Sequence, residues 1–190
     1  MATTTWNLDT AHTDVIFAAK HMMVTTVRGK FGTVSGSLQL DPENPTDGNG
    51  SFTIAAASLN TGVDQRDGHL RSAEFLDVEQ FPEITFASTS VTAKGGSAYA
   101  VAGDLMVRGT TRPVTLDVEY LGLYTSMGGA RRAGFHATTK INREDWGLTW
   151  NVALEAGGWL VGKDIKLEID LAVEEAEVAR AGTDVASIAA

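Results

Sequence analysis

Apolar and polar residues alternate with a period of two along most of this chain, the mark of strands that bury one face. Val15, Phe17, Ala19, His21 and Met23 share one face of a predicted strand over 13–24. Val34, Gly36, Leu38 and Leu40 do so within 27–40, where Gly29 and Gly32 offer a bend or bulge. Phe52, Ile54 and Ala56 mark a third strand over 50–58, and Ile84, Phe86 and Ser88 open a fourth over 84–93. Tyr99 to Val107, Val114 to Tyr120 and Ala133 to Ile141 give three more. The eighth is the clearest: Ile165, Leu167, Ile169, Leu171 and Val173 alternate with mostly charged residues. A short additional strand is expected at Trp6–Leu8.

Turn-forming runs separate these segments, notably Asp41 to Gly50, Lys94 to Ser97, Arg108 to Pro113 and Ser126 to Ala130. Eight strands joined mostly by short turns predict an antiparallel meander. One apolar face per strand favours closing it into a barrel, which also removes exposed edges. Two segments break the period. Residues 61–76 predict a short helix across the barrel, with Val63, Leu70 and Ala73 on its docking face. Residues 144–162 carry Trp146, Trp150 and Trp159 among glycines and read as a loop or single helical turn. One β-barrel domain is expected over 1–174, followed by an Ala- and Glu-rich tail over 175–190 that prolongs the last strand briefly and then frays.

The 190 residues contain no cysteine, which excludes disulfides, thiolate metal sites and Cys nucleophiles. The net charge of −9, without a basic arm or face, disfavours nucleic-acid binding. No apolar run approaches the ~20 residues of a transmembrane helix. The amino terminus shows neither a basic stretch nor an apolar one of the kind that directs export, so a cytoplasmic protein is expected. Homodimerisation is the default expectation for a soluble oligomer.

Candidate chemistry is sparse. No phosphate-binding loop, dinucleotide fingerprint, nucleophile elbow or zinc-protease motif occurs, and the four histidines show no metal-ligand spacing. No cofactor and no metal are expected. His21 shares the inward face of Phe17 and Ala19; it is either a hydrogen-bonded core residue or a polar group aimed at a ligand. Arg66, His69 and Arg71 form the one cationic cluster of the acidic first half. Arg66 and His69 stand three apart on the predicted helix, suited either to local pairing with Asp64, Asp67 and Glu74 or to an anionic head group. An eight-stranded barrel is close to the size that holds one small ligand instead of filling itself, and small inward residues such as Ala19, Gly36, Gly103 and Ala137 would leave room.

Five runs, in order, resemble the YceI-like family: His12-Thr13-Asp14-Val15-Ile16-Phe17 through His21 with Val27 to Phe31; Arg66 to Asp77; Phe81 to Phe86; Gly103 to Leu105 with Arg108 to Thr111; and Ile141-Asn142-Arg143-Glu144-Asp145-Trp146-Gly147. The resemblance covers residues 4–174. It implies a lipocalin-like eight-stranded antiparallel β-barrel, helix-covered, that holds a long polyisoprenoid chain with a polar or pyrophosphate head. On this basis Phe17, Ala19, Phe52, Phe86, Phe135 and Trp146 are expected as cavity wall, and His21, Arg66, His69 and Arg143 as the polar end. Where many relatives carry an export signal, this sequence shows none, and Trp146 replaces another aromatic.

The leading expectation is a non-enzymatic carrier of an isoprenoid lipid, a prenyl pyrophosphate or quinone precursor. Affinity would come from burial at about 0.8 kcal/mol per methylene. Two alternatives are a small-molecule hydrolase or isomerase using His21 or His69, and a fully packed structural barrel.

Overall fold

A computed structural model of the chain describes residues 3–155 and 157–176. The strands are β1 (Thr4–Leu8), β2 (Asp14–His21), β3 (Thr25–Phe31), β4 (Val34–Leu40), β5 (Asn49–Ala55), β6 (Leu59–Asn60), β7 (Glu83–Gly95), β8 (Ala98–Val107), β9 (Thr110–Thr125), β10 (Arg131–Asn142) and β11 (Val161–Glu175). One α-helix, α1 (Asp64–Arg71), lies between β6 and β7. All pairings are antiparallel, and the sheet closes because β1 bonds both β4 and β11.

Three of the eight barrel positions are composite. β1 and β2 both pair with β11, at its two ends. β4 and β3 follow one another along that pair, bonding β1 and β2 respectively. β5 and β6 do the same against β4 and β3. The expected strand over 27–40 is therefore real but bent at Gly32-Thr33, and the strand over 50–58 becomes β5 followed by a 3-10 turn at Ala56–Ser58. The eight-stranded, helix-bearing barrel expected from the sequence is the fold.

Inward positions follow the predicted alternation with two exceptions. β2 stops at His21, and Met22 and Met23 adopt left-handed backbone with φ of 51° and 61°, so Met23 leaves the inward face for solvent. The β7–β8 register shifts between Ser88 and Ser90, so the extra residue Thr89 moves the inward set from Ser88 to Val91. Beyond the predicted set, which ends at Tyr120, the β9–β10 register shifts at Gly134/Phe135: Leu121 is the extra residue, and Leu123 comes opposite Ala133.

Two apolar clusters stopper the ends. At the end holding both chain termini of the barrel, fully buried Trp6 and Val173 pack with Leu40 and Ala133. Trp6 donates Nε1–H to the Leu40 carbonyl at 3.3 Å. At the opposite end Phe75, Leu76, Trp146 and Leu148 pack on Ile84, Leu105 and Val107, roofing the barrel with the α1 segment and the residues after β10. The helix docks by only part of the expected stripe: Leu70 packs on the core cluster. Val63 is exposed, and the buried residue on α1 is Asp67, whose carboxylate accepts from Thr61 N at 2.9 Å and from Thr61 Oγ1.

Candidate functional site: a cavity inside the barrel

Between the two stoppers runs a cavity of about 670 Å³. A filled interior, the packed-barrel alternative, is therefore not what this chain builds. The wall is almost wholly aliphatic and aromatic, and its openness has a local cause. Three inward phenylalanines lie over glycines of the neighbouring strand. Phe17 pairs across from Gly29, where a Cβ would sit 2.4 Å from Phe17 Cζ. Phe52 pairs with Gly36, and its Cδ1 would stand 2.5 Å from a Cβ there. Phe86 covers Gly103 in the same way at 2.4 Å. A ring occupying the space of an absent Cβ lies against the wall instead of crossing the lumen. Gly36 and Gly103 thus leave room indirectly, by letting their neighbours lie flat.

All ten residues singled out from the sequence line this cavity: Phe17, Ala19, His21, Phe52, Arg66, His69, Phe86, Phe135, Arg143 and Trp146. The four polar ones gather at the α1 end. His21 closes β2 there; Arg66 and His69 stand on α1; Arg143 begins the 3-10 turn after β10. Trp146 is part of the roof, with Nε1–H donated to the Leu105 carbonyl at 3.1 Å.

Arg143 is 4 % exposed and forms no ion pair among the described residues. It donates to the carbonyls of Gly162 at 3.1 Å, Val161 at 3.5 Å and Leu148, and its guanidinium stands 6.0 Å from the Phe75 ring centre. Burial lowers its pKa from the ordinary guanidinium value, and the neighbouring Glu144 opposes that shift. Arg66 likewise meets no carboxylate among the described residues; it donates Nε–H to Thr61 Oγ1 at 2.7 Å and Nη2–H to the Thr61 carbonyl at 3.0 Å. The local pairing weighed for this cluster holds for His69, whose Nε2 lies 2.5 Å from Glu74 Oε2, and not for Arg66. The His69 ring also meets Trp150 and Phe75 edge-on, at 4.5 and 5.0 Å between centroids.

Phe75, Trp150 and Thr61 complete this end and were not singled out as site residues. Phe75 and Trp150 are visible in the sequence only as two of many aromatics. The role of Thr61, joining Arg66 to Asp67, leaves no signature of spacing. On the outer wall, His136 with Glu168 and Asp170 places three potential metal-ligand atoms within 4.8 Å of one another. They come from facing positions of β10 and β11, a grouping invisible to sequence spacing. The His136–Asp170 hydrogen bond at 2.8 Å becomes an ion pair when the imidazole is protonated, and it is the largest cause of the raised His136 pKa. No helix of the described residues is long and apolar enough to cross a membrane.

The comparisons with known proteins agree with this architecture. A UPF0312 protein of Staphylococcus aureus (strain bovine RF122) is 38% identical over 166 residues, covering 87% of this chain and 94% of that one. BcnA of Burkholderia cenocepacia superposes with a TM-score of 0.75 at 22% identity, over 87% of this chain and 98% of that one. A polyisoprenoid-binding domain from Saccharophagus degradans superposes at 0.64 with 15% identity, over 90% of this chain and 98% of that one. The model of the YceI-like domain matches residues 6–173, from the Trp6 stopper to its packing partner Val173, and the chain belongs to that family.

Proposed function

We propose that this protein binds a long-chain polyisoprenoid lipid inside the barrel and carries it without chemical change. The observation that carries the reading is an apolar cavity of about 670 Å³ with Arg66 and Arg143, both without a carboxylate partner among the described residues, at one end. The wall formed by Phe17, Ala19, Phe52, Phe86, Phe135 and Trp146 would take the chain. His21, Arg66, His69 and Arg143 would face the head group, and a guanidinium suits a pyrophosphate because it offers several donors in one plane. The ligand named for the Saccharophagus degradans domain supports the same reading.

Native mass spectrometry of protein purified from its host tests the proposal directly: a co-purifying isoprenoid is expected. Delipidated protein should then bind added prenyl diphosphates. Arg66→Ala should weaken a pyrophosphate-headed chain more than the same chain with a neutral head. Neither a co-purified lipid nor binding of added prenyl diphosphate would overturn the reading.

A further inference from the structure

The end of the barrel that carries Arg66 and His69 also carries an apolar lip. The β2–β3 turn presents Met22, Met23 and Val24 at 49, 58 and 79 % exposure. Beside it, Trp159 and Val152 are nearly half exposed on the segment between Trp150 and β11, and Val63 is nearly half exposed where α1 begins. These pieces are joined: Met22 N–H donates to the Leu160 carbonyl at 2.8 Å, Leu160 N–H donates to Val152, and Ala153 bridges Trp159. The lip borders the cavity, since Val63 lines it, as do His21 and Leu160, the chain neighbours of Met22 and Trp159.

Two observations indicate what covers this lip. The first is charge. Residues 15–40 contain Lys20, Arg28 and Lys30 and no acid, in a chain of net charge −9. Lys20 and Arg28 lie on the outward, even-numbered face of the hairpin and form no ion pair among the described residues. Lys20 stands two residues behind Met22, about 7 Å along the strand. Apolar groups inserted at a bilayer surface reach roughly 5–10 Å below the head groups, so cations at this height would meet lipid phosphates. Around the same end Asp164, on the strand beside Lys20, pairs with Lys140 at 3.1 Å and Glu144 pairs with Lys163 at 2.9 Å, while Asp64 and Glu155 are exposed. The second is conformation. Met22 and Met23 occupy consecutive left-handed positions, which a hairpin normally gives to Asn and Gly. Two exposed methionines there are locally unfavourable on both counts.

We infer that the lip formed by Met22, Met23, Val24 and Trp159, backed by Lys20 and Arg28, docks the cavity mouth onto an anionic lipid surface. The inference rests on the reading of the cavity as a lipid site, and it supplies that site with a route by which an insoluble chain passes from bilayer to barrel without crossing water.

The test uses the full chain with vesicles of phosphatidylcholine alone or mixed equally with phosphatidylglycerol, read by co-sedimentation. A fluorescent prenyl diphosphate in vesicle-free solution reports the cavity separately. Wild type should sediment with the mixed vesicles. Met22→Asn/Met23→Gly replaces the apolar tip by the residues the turn prefers, so the melting temperature should hold or rise. Prenyl diphosphate binding in solution should be unchanged, while vesicle affinity falls on the order of ten-fold. Lys20→Gln should lower affinity about five-fold for the mixed vesicles and leave phosphatidylcholine alone unaffected. The inference is overturned if wild type ignores the mixed vesicles, or if the tip exchange leaves their binding intact. It is equally overturned if the tip exchange instead abolishes a dimer seen by sedimentation velocity. Loss of vesicle binding in the tip variant, with no prenyl diphosphate binding in any form, would uphold the docking surface and remove the cavity reading alone.

Discussion

Gly29→Ala should close part of the lumen, and the size of the effect follows from the contact it creates. The new Cβ would stand 2.4 Å from Phe17 Cζ, 2.8 Å from Phe17 Cε1 and 2.7 Å from Thr61 Cγ2, where ordinary contact begins at 3.4 Å. The Phe17 ring therefore lacks about 1 Å of room (3.4 less 2.4) and must lift off the wall into the cavity. Overpacking of this kind costs about 2 kcal/mol, or roughly 4–8 °C in Tm for a chain of this size. Phe17→Leu deletes Cε1 and Cζ. Thr61→Ser deletes Cγ2 yet keeps the hydroxyl that bonds Asp67 and Arg66. In that double background the same alanine should cost nothing, or gain up to about 1 kcal/mol by restricting the unfolded chain. Thermal melts of the four variants give the coupling, and titration of a fluorescent prenyl chain gives the loss of lumen. If Gly29→Ala costs the same in both backgrounds, the glycine is not there to accommodate the ring, and the account of the open cavity fails.

Asp67→Ala leaves the Thr61 N–H without its acceptor at the start of the roof; a loss of about 1–3 kcal/mol is expected, with faster amide exchange over 64–71 than in the strands. Trp6→Ala should cost about 3–5 kcal/mol in chemical denaturation, since the ring is fully buried in the terminal stopper. Trp6→Phe should cost about 1–2 kcal/mol, chiefly through the bond to the Leu40 carbonyl. His136 should titrate above the ordinary imidazole value of 6.5, because Asp170 stabilises its protonated form. The stability contributed by that pair is complete below the unfolded pKa and is lost as pH rises through the folded one. NMR titration of Asp170→Asn should bring the His136 pKa down, and an unchanged value would remove the pair as the cause.

The strands, their inward faces and the barrel were legible because alternation needs only local sequence: Ile165 to Val173 and Phe17 beside Ala19 declare their side of a sheet without reference to any partner. The ten candidate residues fell on one cavity for the same reason, combined with runs that resemble a known family. What the residues alone left open depends on neighbours distant in the chain. Thr89 and Leu121 break the alternation only because their partner strands lack a matching residue, and nothing in either sequence announces it. Met23 continues the inward pattern on paper, yet the chain must reverse at Met22 to pair β3 with β2. Of the apolar stripe expected on the helix, Leu70 packs on the core, but the fully buried helix residue is Asp67, because Thr61 across the turn offers that carboxylate two donors. Arg143 is held by carbonyls from Leu148 to Gly162, and carbonyls carry no residue signature. Most of all, period two says which side chains face inward and not how far they reach. Whether a barrel of this girth is full or hollow was decided by the glycines its cross-strand register set beneath Phe17, Phe52 and Phe86.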